Sequence, residues 1–382
     1  MPTVDEAGVW QVIGVYDPGA PDAAERLALL RFLRDLGATD AELVEAHRAG
    51  RLAALAGTLV RRGTGPWLTP AEVAERGVVA VETAQRIWQA AGLPPVPADA
   101  REVSPRDVAA LEAFAAASTV FGEDEVLQFT RVVGAALAAV ADASQALFGL
   151  TVAGDLSAAG ASDLEYARAF AEGSRMLVDV VPDVMSTLFL HHVDNAVERY
   201  LAGGGDEVGA RVTYLAIGFV DLVESTAMIR DLAADDIADA MTAFEHRATE
   251  VVAAHHGRVV KTIGDEVMFV ATTAADAAEI AVELVAFAEE HPALRGLRGG
   301  LAWGPLVRGY GDFYGPVVNL AARAVKEARP GEVLADLELI GQVQAATRLR
   351  VGSPREHELR GFVEPVVLWP VERGPEAGEA DA

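Results

Sequence analysis

The hydrophobic period of this chain changes once, at Gly203-Gly204-Gly205. Before that point, residues 104–203 carry apolar stripes at helical spacing. After it, short β-branched and aromatic runs alternate with helical ones. No single-class fold accommodates both patterns. The switch predicts an all-helical N-terminal part over residues 1–203, a linker over 204–212 and an α/β part over 213–372. Residues 373–382 read as an acidic tail without packed structure. With 382 residues, 51% of them apolar, the chain is long enough for two or three domains and a sizeable core.

The helical part reads in order. Residues 1–22, with Pro18, Gly19 and Pro21, predict a loose arm. Asp22 is placed to cap a helix over 23–36 that Gly37 ends, and a second helix over 40–49 closes at Gly50. Residues 68–93 read as helix, turn, helix. This segment looks like the helix-turn-helix of DNA-binding regulators, but its would-be recognition helix (82–91) offers only Arg86 and begins on an acid. The formal net charge of −26 disfavours polyanions and anionic membrane surfaces, so a packed helix pair is expected and nucleic acid is not. Further helices are predicted over 105–114, 124–141, 163–180 and 182–201, their stripes serving a core or a helical dimer surface.

There is no cysteine, hence no disulfide framework and no thiolate metal site. The richest apolar run, 132–150, is interrupted by Asp142, Ser144 and Gln145. It predicts a buried helix, and with no signal segment visible the reading is a soluble cytoplasmic protein without an integral membrane segment.

The α/β part reads as strand 213–221, helix 235–254, hairpin 258–271, helix 274–290, a strand pair 299–303 and 306–308 around Gly304-Pro305, and helix 316–328. Strands over 332–335 and 362–371 close the sheet. Strand-helix-strand-strand-helix-strand is the ferredoxin-like βαββαβ order. There the first and third strands are neighbours, so Asp221, at the end of the first, can meet Asp265, at the hairpin tip.

Two converging carboxylates without Cys or His suit hard, oxygen-preferring cations such as Mg²⁺ or Mn²⁺, and two such ions clamp an in-line phosphoryl displacement. The alternative is a pair of unrelated loop acids. The loop after Asp221 carries Ser225 and Thr226 into a helix, where they either help backbone amides cradle phosphate or simply cap. Lys261, two residues before the hairpin turn, is one of only two lysines, the other being Lys326; the remaining 29 of 31 basic residues are Arg. Asn319 and Arg323, four apart, share one helix face, suited to orienting a sugar oxygen and stabilising phosphoryl charge. Asp312 sits in a Gly-flanked turn.

Three ordered motifs carry a resemblance: Phe219-Val-Asp221, Lys261-Thr-Ile-Gly-Asp265, and Asp312-Phe-Tyr-Gly-Pro-Val-Val-Asn319-Leu-Ala-Ala-Arg323. Residues 213–370 resemble the catalytic domain of class III nucleotidyl cyclases. The resemblance implies a head-to-tail homodimer with active sites at the subunit interface. It implies that Asp221 and Asp265 bind two metal ions, that Lys261 and Asp312 select the purine, and that Asn319 and Arg323 stabilise the transition state. The metal pair would come from one protomer and the other four residues from its partner. Lys261 with Asp312 is the adenine-reading version: an ammonium donates to N1 and a carboxylate accepts from the 6-amino group, which makes ATP the expected substrate. Glu224 and Pro305 depart from the family pattern, in the loop after Asp221 and where some relatives place a triphosphate-binding Arg. Arg360 lies in the region that would supply phosphate charge.

The helical part resembles the autoinhibitory regulatory domain of soluble actinobacterial adenylate cyclases. That resemblance implies a proton or a fatty acid as regulatory input, and His191-His192 are placed to respond to protons. Competing readings are a non-catalytic nucleotide sensor that kept the fold, and a guanylate cyclase. A diguanylate cyclase fails because Ile263 and Val267 break its hairpin motif.

Overall fold

Four helices of the N-terminal part begin on one device. Thr39, Thr69, Ser104 and Ser162 each accept a hydrogen bond from the backbone N–H three residues on. The acids there, Glu42, Glu72, Asp107 and Glu165, accept in return from the cap backbone. The computed structural model describes residues 6–62, 65–202, 212–223, 233–291, 293–343 and 349–374. It divides into two units, residues 1–192 and 193–382. The expected joint at Gly203–Gly205 and the tail beyond residue 374 lie outside the described residues.

The first unit is helical: α1 Glu6–Val12, α2 Ala23–Asp35, α3 Asp40–Arg48, α4 Leu52–Arg62, α5 Pro70–Glu75, α6 Val81–Ala90, α7 Pro105–Phe121, α8 Glu123–Phe148, α9 Gly154–Ala158, α10 Asp163–Asp179 and the part up to His192 of α11 Val181–Ala202. A π-helical turn joins α8 to α9. One core gathers Trp10, Leu29, Leu33, Leu43, Ala56 and Ala171. A second gathers Leu68, Val73, Ala84, Trp88 and Leu111. The expected N-terminal arm is corrected here: α1 is ordered because Trp10, fully buried, anchors it. α4 has no counterpart in the sequence reading. The α5–α6 pair packs into the second core, and Arg86 is paired with Glu123 at 2.6 Å and Asp124 at 3.3 Å. A cavity of about 860 Å³ opens among α4, α8 and α10, lined by Leu55, Phe148, Phe170 and Leu177, with Arg61 and Arg62 also on its wall.

α8, α10 and α11 leave large apolar side chains in solvent, among them Phe129, Leu147, Leu188 and Phe189. Residues 123–158 and 163–198 are each long and apolar enough to cross a membrane by length and composition. The expectation that 132–150 is a buried helix is therefore corrected: most of that stretch is exposed.

The second unit is a nine-stranded sheet with helices: β1 Val212–Leu222, α12 Ala234–Ala254, β2 Arg258–Ile263, β3 Glu266–Ala271, α13 Ala274–Glu290, β4 Leu297–Gly309, β5 Asp312–Tyr314, α14 Pro316–Glu327, β6 Val333–Ala335, α15 Leu337–Val343, β7 Leu349–Val351, β8 Arg355–His357 and β9 Val366–Arg373. The strand order is β2-β3-β1-β4-β6-β9-β7, with β5 on β4 and β8 on β9. Among the described residues, only the β4–β6 pair is parallel. The inner run β2-β3-β1-β4 is the ferredoxin-like core, with first and third strands adjacent as expected.

Alternation along β1 separates the two faces. Ala216, Val220 and Leu222 face α12, α13 and α15, while Leu215, Ile217 and Phe219 face α14. One expectation is corrected. Gly304-Pro305 does not split a strand pair: β4 runs through it in continuous register, with Pro305 opposite Tyr214. Asp312 closes the two-residue turn at 310–311 and opens β5, opposite Gly309.

Candidate active site

Asp221 shares its sheet face with Phe219, so its carboxylate points toward α14. Its cross-strand neighbours are Glu266 on β3 and Arg298 on β4. The Arg298 guanidinium donates to Asp221 Oδ2 twice, Nη2 at 2.7 Å and Nε at 3.1 Å. From α14, the Lys326 ammonium reaches the same oxygen at 2.9 Å and Glu266 Oε2 at 2.8 Å. The Asp221 side chain is only 5% exposed. A carboxylate so buried demands compensation, and here two cations supply it. Burial works against the Lys326 charge, but the Glu266 and Asp221 carboxylates outweigh it and hold the ammonium above the ordinary lysine range.

Asp265 occupies the hairpin tip. Gly264 takes a φ of +65°, which the tight turn requires. The Leu222 N–H donates to the Asp265 carbonyl at 3.3 Å, tying the tip to the end of β1. The donors at this edge are all carboxylate oxygens, the set that suits Mg²⁺ or Mn²⁺. A cation, the Lys326 ammonium, is already held between two of them. Among the described residues, no group of three or more His, Cys, Asp or Glu side chains forms a ready cage. A divalent ion would therefore draw further ligands from substrate and water, as Mg²⁺ sites with phosphates do.

On the outer strands, Lys261 Nζ meets Asp312 Oδ2 at 2.5 Å. Asp312 Oδ1 also accepts from the Phe313 N–H at 2.9 Å, which fixes the carboxylate plane. Arg258 stacks over the Phe313 ring at 5.3 Å and supports the β4–β5 turn through the Gly311 carbonyl. Both partners keep solvent access, 41% for Lys261 and 27% for Asp312. Asn319 and Arg323 stand exposed one turn apart on α14. That helix lies close on the sheet because β4 presents Gly300 beneath it. A Cβ at Gly300 would fall 2.2 Å from Val325 N and 2.5 Å from Ala321 O.

Two family descriptions match the chain in tandem: an adenylate cyclase regulatory domain over residues 18–197, and an adenylate and guanylate cyclase catalytic domain over 209–344. An uncharacterized protein of Mycobacterium tuberculosis is 34% identical over 370 residues, covering 95% of this chain and 94% of that protein. A pH-sensitive adenylate cyclase of Mycobacterium tuberculosis is 30% identical over 394 residues, covering 97% of this chain and 93% of its own. The chain belongs to the class III adenylate cyclase family.

An adenylate cyclase of Streptomyces coelicolor is 31% identical to this cyclase over 274 residues, covering 70% of the chain and 69% of that enzyme. The crystal structure of the guanylyl cyclase Cya2 matches 45% of the chain and 98% of its own, with 19% identity and a TM-score of 0.40.

Within the cyclase, the structure joins Lys261 to Asp312, and the tip bearing Asp265 to the strand bearing Asp221. Arg360 stands exposed in the turn between β8 and β9, and no contact among the described residues links it to the other site residues. Ser225, Thr226 and Glu224 lie outside the described residues. Pro305 is an ordinary sheet position.

Sequence reasoning missed Arg298, Glu266 and Lys326. Glu266 was visible beside Asp265, and Lys326 stood out as the second of two lysines. Arg298 had no signal, since its contact with Asp221 depends on the β1–β4 register.

Proposed function

We propose that this cyclase converts ATP to 3′,5′-cyclic AMP and pyrophosphate as a homodimer. The carrying observation is the Lys261–Asp312 contact, a donor and an acceptor side by side with solvent access. That pair matches the N1 acceptor and 6-amino donor of adenine and mismatches guanine, favouring adenylate over guanylate cyclase.

In the reaction the ribose 3′-oxygen bonds to the α-phosphorus, the bond to pyrophosphate breaks, and the hydroxyl proton passes to solvent. Mg²⁺ or Mn²⁺, two per site, held through Asp221 and Asp265, would supply Lewis acidity for the hydroxyl and charge for the triphosphate. Asn319 orients the ribose, and the Arg323 fork meets the charge that grows on the phosphoryl oxygens in transit. Ser225, Thr226 and Arg360 contribute to phosphate binding. The exposure of Lys261, Asn319 and Arg323 on one chain suits residues that face a partner's metal pair.

The helical unit regulates turnover. Its cavity combines a largely apolar lining with three arginines, Arg51, Arg61 and Arg62, a fit for a fatty acid, and the exposed His191 and His192 on α11 suit a proton input. The exposed apolar faces of α8 and α11 are read as dimer surface, in a cytoplasmic enzyme.

The test is cyclic nucleotide formation by the full chain with Mn²⁺, offered ATP and GTP in parallel, beside Asp221→Ala. Cyclic AMP from ATP alone, lost by at least about 10³-fold in D221A, is expected. Nucleotide binding without turnover in the wild-type chain would make the protein a sensor instead.

A further inference from the structure

Both lysines of this chain sit on carboxylates in the catalytic unit, while its other 29 basic residues are arginines. Lys261 has an assigned partner in purine reading; Lys326 does not. Its ammonium bridges Asp221 and Glu266 from adjacent strands, at 2.9 and 2.8 Å. With Arg298 on Asp221, two carboxylates and two cations form a balanced set. A balanced set gives a divalent ion little electrostatic gain. Once one cation leaves, a net negative charge remains on the two carboxylates and draws the divalent ion in.

The geometry also says which cation leaves. Arg298 makes two hydrogen bonds to Asp221 and a third, at 3.0 Å, to the Lys326 carbonyl, and its side chain is 22% exposed. Lys326 is 47% exposed on a flexible four-carbon stem, so its ammonium can swing into water while the helix stays in place. We propose that Lys326 is a built-in counter-cation that holds the Asp221–Glu266 edge in the resting cyclase and is displaced when a divalent cation binds. It thereby sets the metal affinity. A rigid Arg fork at position 326 would give up the oxygens less readily, which gives the choice of lysine a physical reason. The inference rests on the reading of Asp221 as a metal ligand.

The test uses the full chain. Mn²⁺ is titrated by electron paramagnetic resonance, and thermal unfolding is followed with and without Mn²⁺, in wild type, K326Q, K326R, D221N and the K326Q/D221N double variant. The expected result is Mn²⁺ binding about tenfold tighter in K326Q, with a larger Mn²⁺-induced rise in melting temperature than in wild type. K326R keeps the weak affinity, and adding D221N to K326Q removes the gain. A K326Q chain that unfolds cooperatively and binds Mn²⁺ no more tightly than wild type overturns the proposal. Equal Mn²⁺ affinity in wild type and D221N instead sinks the metal reading of Asp221, and the proposal with it.

Discussion

Replacing Gly300 by Ala tests how closely α14 must lie on the sheet. The added Cβ would stand 2.2 Å from Val325 N, 2.5 Å from Ala321 O and 2.7 Å from Val325 Cα. All three are helix backbone atoms, so no side-chain rotation relieves the contact. To reach an ordinary 3.4 Å separation, α14 must retreat by about 1.2 Å. Ala321 and Val325 are fully buried, so that retreat opens packing on both sides of them. Overpacking of this kind costs about 1–3 kcal/mol, and a backbone clash belongs at the upper end. For a unit of this size, about 3 kcal/mol lowers the melting temperature by roughly 6–12 °C. Asn319 and Arg323 ride on the same helix, and a displacement near 1 Å costs about 10²-fold in rate. Calorimetry of the full chain and kcat at saturating ATP measure the two effects. Gly341→Ala is the control, since nothing lies within 4 Å of a Cβ there. An unchanged melting temperature in G300A would refute the packing argument. A lowered melting temperature with kcat within twofold of wild type would refute the claim that the seating of α14 governs turnover.

Lys261→Ala should separate chemistry from stability. Its pair with Asp312 is substantially exposed, so the fold loses about 0–1 kcal/mol, while kcat/KM for ATP falls by about 10²-fold or more and discrimination against GTP collapses. A melting-temperature drop of many degrees with selectivity intact would reassign the pair to structure. Asp336 gives a pH signature. Burial pushes its carboxyl up to about 6, although its Oδ1 accepts from the Trp303 and Leu339 N–H groups. The folded-state pKa thus lies above the unfolded value of 3.8. The folded chain binds the extra proton between those values, so this residue's contribution to stability falls as pH rises from about 4 to about 6, by on the order of 2–3 kcal/mol. Asp336→Asn keeps an accepting oxygen without the charge, and its melting temperature should be flatter over that window and higher at pH 7 than wild type. A parallel profile would show that Asp336 is not the group responsible.

Local rules made the scaffold of the site readable, and long-range register hid its electrostatics. The end of β1 at Asp221, the tip at Gly264-Asp265 and the Asn319–Arg323 face all rest on signals within a few residues: alternation, a turn glycine and a four-residue helical step. The loose-arm reading of residues 1–22 failed because Pro18, Gly19 and Pro21 are strong local breakers, whereas the burial of Trp10 is decided by residues from Leu29 to Ala171, far along the chain. The split at Gly304-Pro305 failed for a similar reason. A proline after a glycine reads as a turn, but Pro305 keeps its place opposite Tyr214 within the long β1–β4 ladder. Arg298 meets Asp221 across 77 residues of sequence, through a register no local pattern encodes. Lys326 adds a dependence on how closely α14 sits over Gly300, so its contacts with Asp221 and Glu266 were doubly hidden. Composition nevertheless pointed at it. In a chain that uses Arg almost everywhere, a position that keeps Lys is one where a compact, mobile ammonium differs in effect from a guanidinium fork. Both lysines hold a carboxylate, Asp312 and Asp221, and under the proposed function each must also be able to release it, Asp312 to a purine amine and Asp221 to a divalent ion.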